Sequence, residues 1–114
     1  MKLVSFLHDG RPGYGTTDGV TIRSASAAMR ARCPDLRAVL SQDALGALAA
    51  DPDATSVPIT AVIMRPPIPN PSRILCVGLN YRKPYPVDGV APPDPEDIIL
   101  FGKERQALVG HGVA

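Results

Sequence analysis

The sequence predicts an α+β chain: a small antiparallel β-meander with a covering helix, followed by the first strands of a second, β-rich domain. Three observations carry this. Short β-prone runs separated by glycine turns fill the first two dozen residues, an Ala- and Leu-rich stretch with helical spacing follows, and a proline run at residues 65–72 then interrupts the chain.

Residues 2–7 are β-prone, and Gly10-Arg11-Pro12-Gly13 reads as a turn. Tyr14 to Ile22 supplies a second and third short strand around the hairpin signal Thr17-Asp18-Gly19. Ser24 or Ser26 can cap an Ala-rich turn. Pro34-Asp35 can start a further helix, in which Leu36, Val39, Leu40, Leu45 and Leu48 fall near one face. Residues 51–56 read as a loop, Ile59 to Met64 as a strand, and residues 65–72 as a stiff extended connector, because proline fixes φ and has no N–H to donate. The chain thus divides into a domain over 1–64, the connector, and a second domain from Arg73 on. In the second domain, Arg73–Val77 is expected as a buried strand, Asn80–Glu96 as a Pro-rich loop and Ile98–Phe101 as another strand.

With 114 residues, a core of aliphatic side chains (no Trp, aromatics 4%) and 13 prolines, the chain is small and its stability is expected to be marginal. Lys and Arg total 12 against 11 Asp and Glu, so no net field attracts nucleic acid or an anionic membrane. The apolar start Leu3-Val4-Ser5-Phe6-Leu7 is too short for a signal sequence, and no run approaches a membrane span, which predicts a soluble cytoplasmic protein. Cys33 and Cys76 lack ligand spacing and read as small apolar residues.

Most of the candidate chemistry has a simpler reading. Gly10 to Gly15 is not followed by a helix and so makes no phosphate cradle. His8-Asp9 reads as a surface pair at a strand end, with the two side chains pointing apart, and His111 as a turn residue. Asp94, Glu96 and Asp97 form a solvated run broken by Pro95. Asn80, Tyr81 and Arg82 are different. They follow a glycine at the end of a strand, where side-chain and backbone donors can converge on a carboxylate.

Pro66-Pro67-Ile68-Pro69-Asn70-Pro71, then Ile74-Leu75-Cys76-Val77-Gly78-Leu79-Asn80-Tyr81, and later Phe101-Gly102-Lys103 ahead of Val109-Gly110-His111-Gly112, resemble the start of the catalytic domain of the fumarylacetoacetate hydrolase family. The opening residues 1–15 resemble the small N-terminal domain of its bacterial members. The resemblance implies a Mg²⁺- or Mn²⁺-dependent enzyme acting on a 2-oxo carboxylic acid or β-diketone by C–C hydrolysis, decarboxylation or isomerisation. A hard cation chelated by adjacent substrate oxygens would act there as a Lewis acid. It also implies substrate-binding roles for Asn80, Tyr81, Arg82 and Lys103.

Two departures limit the resemblance. The family's Glu-x-Glu and Asp ligands come after the glycine turn and are not among these 114 residues. Its His/Glu base pair aligns with Pro84 and Val87, neither of which can move a proton. The chain is therefore expected to bind no metal alone, to have no catalytic residue of its own and to be inactive by itself. It is expected to be the N-terminal part of such an enzyme, paired with a separate C-terminal half or with itself. The alternatives are a non-enzymatic assembly module or a degenerate remnant.

Overall fold

The structure is a computed structural model and describes residues 1–78 and 97–112. It has the expected α+β architecture and divides into two compact units, residues Met1–Pro71 together with the chain from Leu108 on, and Ser72–Ala107. Residues 65–71 of the expected connector fall in the first unit, and Ser72 opens the second.

The first unit is built on a five-stranded antiparallel sheet in the order β4-β3-β2-β1-β5, from β1 (Lys2–His8), β2 (Arg11–Thr17), β3 (Thr21–Ser24), β4 (Thr55–Pro58) and β5 (Ile63–Arg65). Two tight turns make the meander. Asp9 and Gly10, both at positive φ (49° and 72°), close β1 onto β2. Asp18 Oδ1 accepts from the N–H groups of Val20 and Thr21, each at 2.8 Å, and Gly19 takes φ 108°, which closes β2 onto β3. The first turn lies one step earlier than expected, and Arg11–Gly13 already belong to the second strand.

Alternation along β1 sends Val4 and Phe6 to one face and Leu3 and Ser5 to the other. Val4 and Phe6 pack with Ile22 and Val57, flanked by Ile59, Val62 and Met64. On the opposite face the larger cluster joins Tyr14 and Ala25 to Met29, Cys33, Leu36, Val39, Ala44 and Leu48 from three short helices, α1 (Ala27–Arg32), α2 (Leu36–Ser41) and α3 (Leu45–Ala49). Ser26 caps α1 and Asp35 caps α2, each accepting from the N–H three residues on.

The single long helix expected over Leu36–Leu48 is broken. At Gln42–Ala44 the N–H of Ala44 donates to Val39 O (2.8 Å) and that of Asp43 to Leu40 O (3.2 Å), with Asp43 at φ 50°, a Schellman ending whose left-handed residue is an aspartate. The break turns Leu40 to solvent while Leu36, Val39 and Leu48 stay buried. Residues Thr55 and Ser56, expected in a loop, begin β4 at the sheet edge. The strand expected over Ile59–Met64 is a 3-10 turn (Ile59–Ala61) followed by β5.

Asp51 ties the helices to the sheet. Its Oδ2 accepts from the N–H of Ser26 at 2.8 Å, and its carbonyl accepts from Arg23 Nη2 at 2.9 Å. The hydrogen bond from the Ser26 N–H is the main reason its carboxyl lies below the ordinary value of 3.8. Burial opposes this, and the Ser26 hydroxyl, the Asp53 N–H and Arg23 assist it. A group that binds its proton less tightly when folded contributes stability above the ordinary value, and that stability is lost as the pH falls through the lower, folded value. Urea midpoints measured from neutral pH down through the carboxylate range are expected to fall less steeply for Asp51→Asn than for the parent.

In the second unit β6 (Ile74–Val77) pairs antiparallel with β7 (Leu100–Lys103), and a 3-10 turn follows at Arg105–Ala107. The expectation of a buried strand at Arg73–Val77 does not hold. Leu75 and Val77 are 59% and 49% exposed, and Leu100 and Phe101 on the partner strand 55% and 47%, so this two-stranded ribbon buries neither face well.

Candidate functional site

Of the residues to which the resemblance assigns substrate binding, Asn80, Tyr81 and Arg82 lie outside the described residues, as do Pro84 and Val87, aligned with the base pair, and Asp94 and Glu96. Lys103 is described. It ends β7 directly opposite Ile74 in the register and is exposed. Gly78, which ends the β6 motif, donates to Ile99 O at 2.7 Å, and a Cβ there would stand 3.1 Å from Ile99 Cγ2. A residue with a side chain there would press on the Ile99 side chain, which would have to give by a few tenths of an ångström. The β6 and β7 motifs, separated in sequence, thus lie on neighbouring strands.

The other candidates from the sequence are quickly placed. His8 Nε2 and Asp9 Oδ2 are 3.9 Å apart and exposed. Their side chains converge because Asp9 sits in the turn at positive φ, where strand alternation no longer applies. Cys33 is buried and Cys76 half-buried, both free thiols. His111 lies in a turn with Gly112 at φ 74°. Among the described residues no three His, Cys, Asp or Glu side chains converge as a metal-binding group.

One concave feature that sequence reading missed is a cleft of about 290 Å³ in the first unit, lined by Ser5, Tyr14, Asp35, Arg65, Pro69 and Asn70 among others. Tyr14 floors it without being reactive. Its hydroxyl donates to the carbonyls of Met29 (3.3 Å) and Cys33 at the end of α1. Burial, reinforced by the nearby Cys33, pushes its pKa up to about 12. A phenol so placed stays protonated and serves as a structural donor. Asn70 lines the cleft: its Nδ2 donates to Asp35 Oδ2 at 2.8 Å, while its buried Oδ1 has no partner among the described residues. No sequence signal joins Asn70 to Asp35, which lies in another segment of the chain and already caps α2 through Oδ1.

No protein-family model matches the chain, and no solved structure matches it. A stretch of 59 residues, 52% of the chain, is 44% identical to a protein from Archaeoglobus fulgidus described as uncharacterized. The chain spans about a fifth of the length of that curated relative, the matched stretch being 22% of it. Among the described residues no helix is long and apolar enough to cross a membrane.

Proposed function

We propose that this chain is the N-terminal part of a fumarylacetoacetate hydrolase-like, divalent-metal-dependent enzyme acting on a 2-oxo carboxylic acid or β-diketone. In this reading the cation's oxygen ligands come from polypeptide other than these 114 residues. The observation that supports it is the pairing of β6 with β7. The proline run leads in sequence into β6, which Gly78 follows, and Lys103 ends the neighbouring strand, so the β6 motif and Lys103 belong to one small ribbon. Asn80, Tyr81, Arg82 and Lys103 would bind the substrate carboxylate and carbonyl through charge-assisted hydrogen bonds. The bound metal, Mg²⁺ or Mn²⁺, would supply Lewis-acid polarisation of the substrate oxygens.

Isothermal titration of the purified chain with Mg²⁺ and with Mn²⁺ is expected to give no stoichiometric heat. Tight one-to-one binding of either ion would overturn the assignment of the ligands to other polypeptide.

A second reading, a non-enzymatic assembly module, draws on the exposed Leu75, Val77, Leu100 and Phe101 of the ribbon. Size-exclusion chromatography with light scattering separates the two. A defined, soluble oligomer supports assembly through this ribbon, and a monomer that aggregates with concentration supports an incomplete enzyme.

A further inference from the structure

Residues 66–71 carry backbone donors only at Ile68 and Asn70 with which to hold themselves to the first unit. Pro66, Pro67, Pro69 and Pro71 have no N–H, so the segment can join no sheet ladder through them. Its retention falls on a few contacts. Ser5 Oγ donates to Pro67 O at 2.7 Å, Arg37 Nη1 donates to Asn70 O at 3.1 Å from an exposed position, and Ile68 packs against the helix-side core cluster. Among the described residues Asn70 adds a side-chain hydrogen bond, 2.8 Å from its Nδ2 to Asp35 Oδ2.

Two further observations show that this closure is not tight. Pro69 and Asn70 line the cleft of about 290 Å³ together with Ser5, Tyr14 and Asp35, so space remains beside the segment at that point. Asn70 also closes with half of its amide unsatisfied, since among the described residues its buried Oδ1 has no donor. Opening returns that oxygen to water and removes the penalty of burying it.

We propose that residues 66–71 are a strap latched by Asn70 on Asp35, able to open while the core of the first unit stays folded. Asn70 is a positioning residue: closed, it fixes where Pro71 leaves the first unit, and open, it frees that point. The proposal does not depend on the enzyme reading, since every contact it uses lies within the first unit.

The test is NMR relaxation on the full chain, read at the amides of Ile68 and residue 70 and at the Ile68 methyl groups, with the Leu36 and Val39 methyl groups reporting the core. Asn70→Asp sets a carboxylate against the Asp35 carboxylate and removes the donor. The double exchange Asp35→Asn with Asn70→Asp restores one donor and one acceptor, and asparagine caps a helix as well as aspartate does. In Asn70→Asp the strap order parameters are expected to drop from about 0.85 to below about 0.6, the Ile68 methyl shifts to move to solvent-exposed values, and the core methyl shifts to stay in place. The double exchange is expected to bring all of them back. A strap as rigid in Asn70→Asp as in the parent, core signals that melt together with it, or an exchange that fails to restore it would each overturn the latch.

Discussion

Gly15→Ala is expected to lower the stability of the chain by about 3 kcal/mol or more, because overpacking against a rigid neighbour exceeds the usual range of about 1 to 3. Gly15 pairs with Ser24 where β2 meets β3. A Cβ built on it would overlap the carbonyl oxygen of Arg23 and come within 2.9 Å of its carbonyl carbon. Those atoms are backbone in the middle of a sheet and cannot swing aside as a side-chain end could. Relieving the overlap means parting β2 from β3, and β3 carries the fully buried Ile22. The same change at Gly46 is the internal control. That glycine lies in α3 with nothing within 4 Å of a new Cβ, so Gly46→Ala is expected to be neutral or to stabilise by about 0.4 to 1 kcal/mol. Urea denaturation followed by circular dichroism reads both. If Gly15→Ala shifted the midpoint no more than Gly46→Ala, the described approach of β3 to β2 would be wrong.

Phe6→Ala is expected to cost about 3 to 5 kcal/mol, the range for truncating a buried aromatic ring. Domains of this size have only about 5 to 15 kcal/mol in total, and small ones lie at the lower end. Phe6 is 2% exposed and is among the largest fully buried side chains. Its ring lies over Gly13, directly across the β1–β2 ladder, where a Cβ would stand 2.7 Å from Cε2. Leu cannot fill the flat slot above a glycine as a ring does, so Phe6→Leu is expected to recover only part of the loss. Thermal melts of the two variants check this, and equal midpoints for Phe6→Ala and the parent would rule out the second core cluster as a source of stability.

The candidate site was legible only where the chemistry is written in neighbouring residues. Pro66 to Pro71 announced a rigid segment and Gly78 a strand end, because prolines and glycines act through their own φ. The pairing of the β6 and β7 motifs was implicit in two apolar runs of similar length. Asn70 as a latch was not legible. Its meaning comes from Asp35, half a unit away in sequence, and an asparagine between two prolines looks like any turn residue. The exposure of β6 was equally hidden. Ile74-Leu75-Cys76-Val77 reads as core in any sequence, yet among the described residues no second layer covers Leu75 and Val77 of the ribbon.

What the sequence by itself determined is the set of local decisions: the Asp18-Gly19 hairpin, the caps Ser26 and Asp35, the alternation that splits β1 between two faces, and the stiffness of residues 66–71. Each depends on hydrogen bonds or steric limits within three or four residues, which the chain carries wherever it goes. The tertiary structure alone decided which elements they became. It ended α2 at an aspartate in the left-handed region, because burying both Val39 and Leu48 against Tyr14 and Ala25 requires a bend there. It drew Thr55 and Ser56 out of a loop into the edge strand beside β3, and it fastened the proline run to the first unit. Those outcomes rest on partners far along the chain, whose burial and hydrogen bonding outweigh local preference by amounts that no short window of sequence contains.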